Sequence, residues 1–134
     1  MKGKYLVDTN TAIFFFNGKT NVINHWQSKT PAEVKICAIT LFELHVGSTT
    51  SSKPDVRLNH INTFLKYIDV LPIGPEEAAI AANLVGIHQK MGRPMGSLDS
   101  LIASAAVTHN LVLVTNNTKH FEHVPGLTCV DWTK

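Results

Sequence analysis

The stretch SLDSLIASAAVTHNLVLVTNN, residues 97–117, decides the fold. Its first part, residues 97–109, predicts a helix capped by Ser97 and apolar almost all round. Its second part, LVLVT, residues 111–115, predicts a strand whose apolar residues do not alternate. Such a strand is covered on both faces, as in a parallel sheet flanked by helices. His109 and Asn110 form a link too short for anything but an antiparallel return of the strand beside its helix. The start of the helix and the end of the strand therefore lie at the same edge of the sheet. Asp99, in the first helical turn, and Thr115, Asn116 and Asn117, just past the strand, share that edge.

Working outward, the same alternation recurs. Residues 4–8 (KYLVD) predict a strand, and residues 11–16 a helix with Asn10 as its cap. Asn17-Gly18 ends it. Residues 21–28 predict a short helix, 34–38 a second strand, and 40–47 a helix ending near Gly47. Leu58, Ile61, Leu65 and Ile68 share one helical face. DVLPI, residues 69–73, predicts a third strand. Pro75 opens a helix with Glu76 and Glu77 in its first turn, where the helix dipole favours anions. Ile80, Leu84, Ile87 and Met91 are its expected buried stripe, and Gly92 its stop. GRPMG is a loop, NNTKHF a turn with a short helix, and LTCVD a fifth strand. Strands alternating with helices, without repeats, imply an α/β sandwich with a mainly parallel, about five-stranded sheet. The 134 residues suffice for one domain, 1–134.

Composition excludes several classes. The chain is 44% hydrophobic, yet no apolar run is long enough to span a membrane. MKGKYLVDTN lacks the apolar region of a secretory leader, so a cytoplasmic location is expected. Cys37 and Cys129 each sit in an apolar run, and two buried thiols are expected rather than a disulfide. A net charge of +2 argues against a general nucleic-acid coater, while leaving room for a basic surface that tracks a phosphate backbone. No G-x-G-x-x-G, P-loop or G-x-S-x-G motif is present. The seven histidines are scattered, and His45 and His88 read as surface or core-edge residues on helices.

In open α/β sheets, ligands bind beyond the carboxyl ends of the strands. Asp8 closes the first strand there, Glu43 opens the helix after the second, and Asp99 and Asn117 join them. Three carboxylates on an apolar scaffold repel one another and call for a cation. Oxygen donors alone suit Mg²⁺ or Mn²⁺, ions that serve phosphoryl chemistry. Each residue also has a purely structural reading. Asp8-Thr9-Asn10 fits an Asx turn, Thr40 to Glu43 fits the capping box T-x-x-E, and Asp99 fits a helix dipole. Phe14, Phe15 and Phe16 are consecutive on a short helix and cannot all face one core. At least one should be exposed or cover a groove, as a seat for a partner.

The segments YLVDTN, ITLFELHVG, GRPMGSLDSLIASAA, LVLVTNNTKHF and VPGLTCVDW together resemble the VapC-type toxins of the PIN-domain ribonucleases. The resemblance implies a PIN-like three-layer α/β/α sandwich and an Mg²⁺- or Mn²⁺-dependent endoribonuclease. Its substrate would be RNA, with transfer RNA, notably the initiator species, as the expected target, and cleavage would arrest translation. It also implies a cognate VapB-type antitoxin lying over the active site and a homodimer. The larger toxin–antitoxin complex would touch operator DNA only through the antitoxin. Asp8, Glu43 and Asp99 match the family's acidic triad. Asn10 matches the asparagine that supports the first aspartate, and Thr115 a site-lining hydroxyl. Asn117 stands where many PIN domains carry a second-metal aspartate.

The functional expectation is a metal-dependent endoribonuclease in which Asp8 and Asp99 hold the metal. Glu43 serves as a further ligand or orients the attacking water. Arg93, in the loop before Asp99, is within reach of an RNA phosphate or is a solvated loop charge. Two alternatives are a non-catalytic RNA-binding module of the same fold and a metal-dependent hydrolase of small phosphate esters. The absence of a D-x-D motif after the first strand counts against the second.

Overall fold

The computed structural model describes residues 4–134 of the chain; the first three residues of the leader-free N-terminal reading lie outside them. Five strands form one sheet: β1 (Tyr5–Val7), β2 (Val34–Cys37), β3 (Asp69–Leu71), β4 (Val112–Val114) and β5 (Cys129–Val130). Their order is β3-β2-β1-β4-β5, and every neighbouring pair is parallel. The chain winds outward from β1 to β3, then crosses to the other side of β1 for β4 and β5. The direction of winding therefore reverses between β1 and β4, and a crevice opens there beyond the strand ends.

Successive strand residues point to opposite faces, and both faces are covered. Leu6, Cys37 and Leu113 face a core shared with Leu84, Ile102, Ala103, Ala106 and Phe121. Val7, Ile36 and Val114 face a second core with Ala12, Val22, Ile61, Phe64 and Trp132. The first core is roofed by α5 (Pro75–Lys90) and α6 (Ser97–Thr108), the second by α1 (Thr9–Phe16), α2 (Thr20–Gln27) and α4 (Pro54–Phe64). Helix α3 (Ala38–Thr50) contributes Leu44 to the second core and Ile39 to the first. The result is the expected three-layer sandwich. Cys37 and Cys129 are both free, the first buried and the second half-buried. Among the described residues no helix is long and apolar enough to cross a membrane.

Several local expectations shift. Helix α1 starts two residues early because Asp8, not Asn10, is its cap: Asp8 is extended and its Oδ1 accepts from the Thr11 amide at 2.8 Å. Asn10 is already helical and exposed. Helix α3 likewise starts at Ala38 and runs past Gly47, so Thr40 is interior and makes no capping box with Glu43. Gly96, not Ser97, caps α6. The buried stripe of α5 is Glu77, Ala81, Leu84 and His88, one position round from the expected one, and Met91 is exposed. Gly92, at φ +70°, ends α5 as expected. Asn110, at φ 54°, makes the tight α6–β4 return; asparagine is among the few residues that adopt this conformation readily. The antiparallel return places the start of α6 at the carboxyl edge of the sheet.

Candidate active site

Asp8 occupies the crevice beside β4. It is 8% exposed, at the end of β1, the central strand of the sheet. Burial raises its pKa above the ordinary carboxylate value. The Thr115 hydroxyl, the Thr11 amide and the Thr11 hydroxyl oppose that shift by favouring the ionised form, and the Asp99 carboxylate adds to it. Thr115, fully buried at the end of β4, also accepts from the Asn117 amide at 3.1 Å. Threonines thus build the floor of the crevice where strand ends would otherwise be apolar.

Asp99 sits in the first turn of α6 with its side chain about half exposed, and its Oδ2 lies 3.0 Å from His120 Nε2. His120 belongs to a 3₁₀ turn, Thr118–Phe121, just past β4. Glu43 lies apart from the aspartate pair. Its Oε1 accepts a 2.6 Å hydrogen bond from the Thr9 hydroxyl, which also lies 3.4 Å from the Thr40 hydroxyl. The expected cluster of three carboxylates is therefore a pair, Asp8 and Asp99, with Glu43 tethered beside it through α1. Among the described residues no three histidine, cysteine or acidic side chains gather closely enough to hold a metal ion by themselves.

The donor set still fits a hard cation. Mg²⁺ is usually held by one or two carboxylates and keeps its other positions for water and substrate phosphate. Asp8 is a buried carboxylate that a second carboxylate makes harder to ionise, which is the condition a cation relieves.

The remaining sequence-picked residues fall around this pair. Among the described residues no hydrogen bond joins Asn10 to Asp8. Asn117 is exposed and lines a hollow on the outer side of His120, with His88, Arg93, Pro94, Lys119, Glu122 and His123. Arg93 is on the same hollow, exposed to solvent, with Glu122 at 3.4 Å and His123 Nε2 at 2.9 Å. Sequence reading missed Thr9, Thr40 and His120. Thr9 meets Glu43 across 34 residues and His120 meets Asp99 across a helix and a strand, so no local spacing announces either pair. His88, expected at a surface or core edge, is 3% exposed.

Residues 5–127 match the family model of the PIN domain. The chain is 34% identical over 130 residues to the tRNA(fMet)-specific endonuclease VapC of Shigella flexneri, covering 97% of this chain and 98% of that protein. It is 30% identical over 129 residues to ribonuclease VapC2 of Haemophilus influenzae, covering 96% and 98%. The structure superposes on the toxin fold in the DNA-bound VapBC crystal structure from Salmonella typhimurium with a TM-score of 0.89 and 32% identity, covering 96% of this chain and 98% of that one. VapBC2 of Rickettsia felis, bound to a promoter DNA fragment, gives 0.88 at 27% identity and the same coverage. With its all-parallel sheet, its carboxylate pair at the switch edge and these full-length likenesses, the chain belongs to the PIN-domain family, among the VapC ribonucleases.

Proposed function

We propose that this chain is the toxin of a type II toxin–antitoxin pair, a metal-dependent endoribonuclease that cleaves transfer RNA, the initiator species foremost, and so arrests translation in the cytoplasm. It acts as one domain, pairs with a VapB-type antitoxin, forms a homodimer, and reaches operator DNA only through the antitoxin. The observation that carries the reading is the juxtaposition of Asp8 and Asp99 at the switch edge, in a chain 34% identical to an endonuclease named for tRNA(fMet).

Asp8 and Asp99 would hold Mg²⁺ or Mn²⁺. When bound, such an ion would supply Lewis acidity toward a water and charge neutralisation at the phosphate. Around it, the chain's own groups orient the reaction. The Thr11 amide and Thr115 fix the Asp8 carboxylate and offset part of the cost of ionising it in a buried position. Glu43, steadied by Thr9, orients the water and accepts its proton. Water would attack the phosphorus and give its proton to Glu43, the P–O3′ bond would break, and the leaving oxygen would take a proton from solvent, giving a 3′-hydroxyl and a 5′-phosphate. Incubating the purified chain with total RNA, in Mg²⁺, Mn²⁺ or EDTA, tests the reading. Discrete metal-dependent fragments of initiator tRNA are expected. RNA that stays intact with both metals, or is cut equally by Asp99→Asn, overturns it.

A further inference from the structure

The hollow behind His120 has a chemistry that the carboxylate site does not use. Its volume is about 330 Å³, within the size range of small-ligand sites. His88 forms one wall. Its Nδ1 lies 2.8 Å from the Leu84 carbonyl oxygen, which can only accept, so Nδ1 carries the proton. In the neutral ring Nε2 is then a bare acceptor. It is buried and has no partner among the described residues. A phosphate oxygen cannot satisfy it; only an N–H or O–H group can. The rim is cationic: Lys119 has no ion-pair partner among the described residues, and Arg93 is held in place by Glu122 and His123. Asn117 adds an amide, able to donate and accept. The hollow thus has an unpaired acceptor just beneath its wall, which a small turn of the His88 ring would expose, and positive charge at its mouth.

We propose that this hollow is a nucleotide subsite, which takes one unpaired ribonucleotide of the RNA substrate beside the scissile bond. This rests on the ribonuclease reading above. A base amino or imino group, or a ribose hydroxyl, donates to His88 Nε2, and the attached phosphate meets Lys119 and Arg93. Sequence-selective RNA readers work on splayed-out bases in this way. The placement follows from the walls. Asn117 bonds to Thr115, which abuts Asp8, and His120 abuts Asp99, so the hollow and the carboxylate pair share a partition. A nucleotide lodged here sets which phosphodiester reaches the carboxylates, so His88 and Lys119 are binding and specificity residues, not catalytic ones.

The test uses full-length Asp8→Asn protein with ¹⁵N-labelled histidines, titrated separately with each of the four 5′-nucleoside monophosphates and with inorganic phosphate. At least one nucleotide should move the His88 Nε2 resonance while phosphate leaves it in place. Equal movement with phosphate, or none with any nucleotide, overturns the subsite. In the same Asp8→Asn background, Lys119→Ala should weaken binding of an initiator tRNA transcript about tenfold, as for loss of a charged hydrogen bond. His88→Phe should weaken it about fivefold, with His88→Gln, which keeps an acceptor, closer to the parent. In the active chain the same changes should raise KM and leave kcat within about twofold. If the active chain cleaves tRNA and both Lys119→Ala and His88→Phe leave KM unchanged, the subsite is wrong and the ribonuclease stands. If nucleotides move His88 but no RNA is cut, the ribonuclease reading fails, and the hollow is a nucleotide-binding site with no scissile bond beside it, which overturns the substrate subsite as well. Loss of antitoxin binding in Lys119→Ala, with tRNA affinity unchanged, would make the hollow a protein contact and overturn the proposal.

Discussion

Asp8 is both a helix cap and the buried member of the carboxylate pair, and the two roles predict different responses to one substitution. Asparagine caps as well as aspartate does, so Asp8→Asn keeps α1 intact while removing the charge. Burial holds the folded-state pKa of Asp8 above its unfolded value. The stability associated with its protonated form is therefore fully present below about pH 3.8 and is lost as pH rises through the folded pKa. In EDTA near pH 7, Asp8→Asn should melt higher than the parent, and the difference should close on acidification below that range. RNA cleavage should fall at least about a hundredfold. A mutant that melts below the parent at pH 7 would show that its cap, not its charge, dominates. Thr9 is the second residue to probe. Thr9→Val removes the 2.6 Å tether of Glu43 and should lower kcat about tenfold with KM little changed. Thr9→Ser should restore most of it, since only the hydroxyl is required; equal loss in both variants would assign the effect to packing.

At the scale of elements, the site is held by helix starts and stops. The first turns of α1 and α6 bring Asp8 and Asp99 to one edge, and the stop of α5 launches the loop that carries Arg93 to the neighbouring hollow. Gly92 makes that stop at φ +70°, with open space around the position where a Cβ would stand. Gly92→Ala therefore meets backbone strain without a clash. It should cost about 1 kcal/mol in urea unfolding, and a change much below that would mean the α5–α6 loop can terminate the helix another way. The identity of this stop was legible because glycine enters that region without steric cost. The cap of α1 was not. Asp8 and Asn10 are equally good caps by composition, and the strand end of β1, which leaves Asp8 extended, selects between them.

At the scale of the whole molecule, α1, α2 and α4 leave an apolar trough. Phe15, Phe16, Trp26, Phe64 and Tyr67 line a hollow of about 400 Å³, and Phe16 and His60 also border a second of about 250 Å³ that reaches Glu43. The expectation that a phenylalanine of the FFF run stands exposed is replaced by three half-buried rings. Phe15 packs on Trp26, Phe16 on Phe64, and Phe14 lies under Lys19. The expectation that they border a groove is met. Phe16→Ser should weaken a VapB-type antitoxin at least about tenfold by titration calorimetry, with the melting curve checked in parallel. Unchanged antitoxin affinity in a folded mutant would move the interface elsewhere.

The sequence by itself determined the sandwich, the parallel sheet and the edge on which the acidic residues gather. Those follow from local facts: unalternating strands, glycine stops, and links too short to cross the sheet. Only the tertiary structure decided how the residues on that edge divide. It paired Asp8 with Asp99, drew Glu43 aside onto Thr9, and put His120 against Asp99 and Arg93 on a separate hollow. It also buried His88, on the stripe of α5 that carries Glu77, Ala81 and Leu84. Hydropathy patterns fix which face of an element is covered. The partner of a polar side chain depends on distances between segments far apart in the chain, and those exist only once the layers have packed.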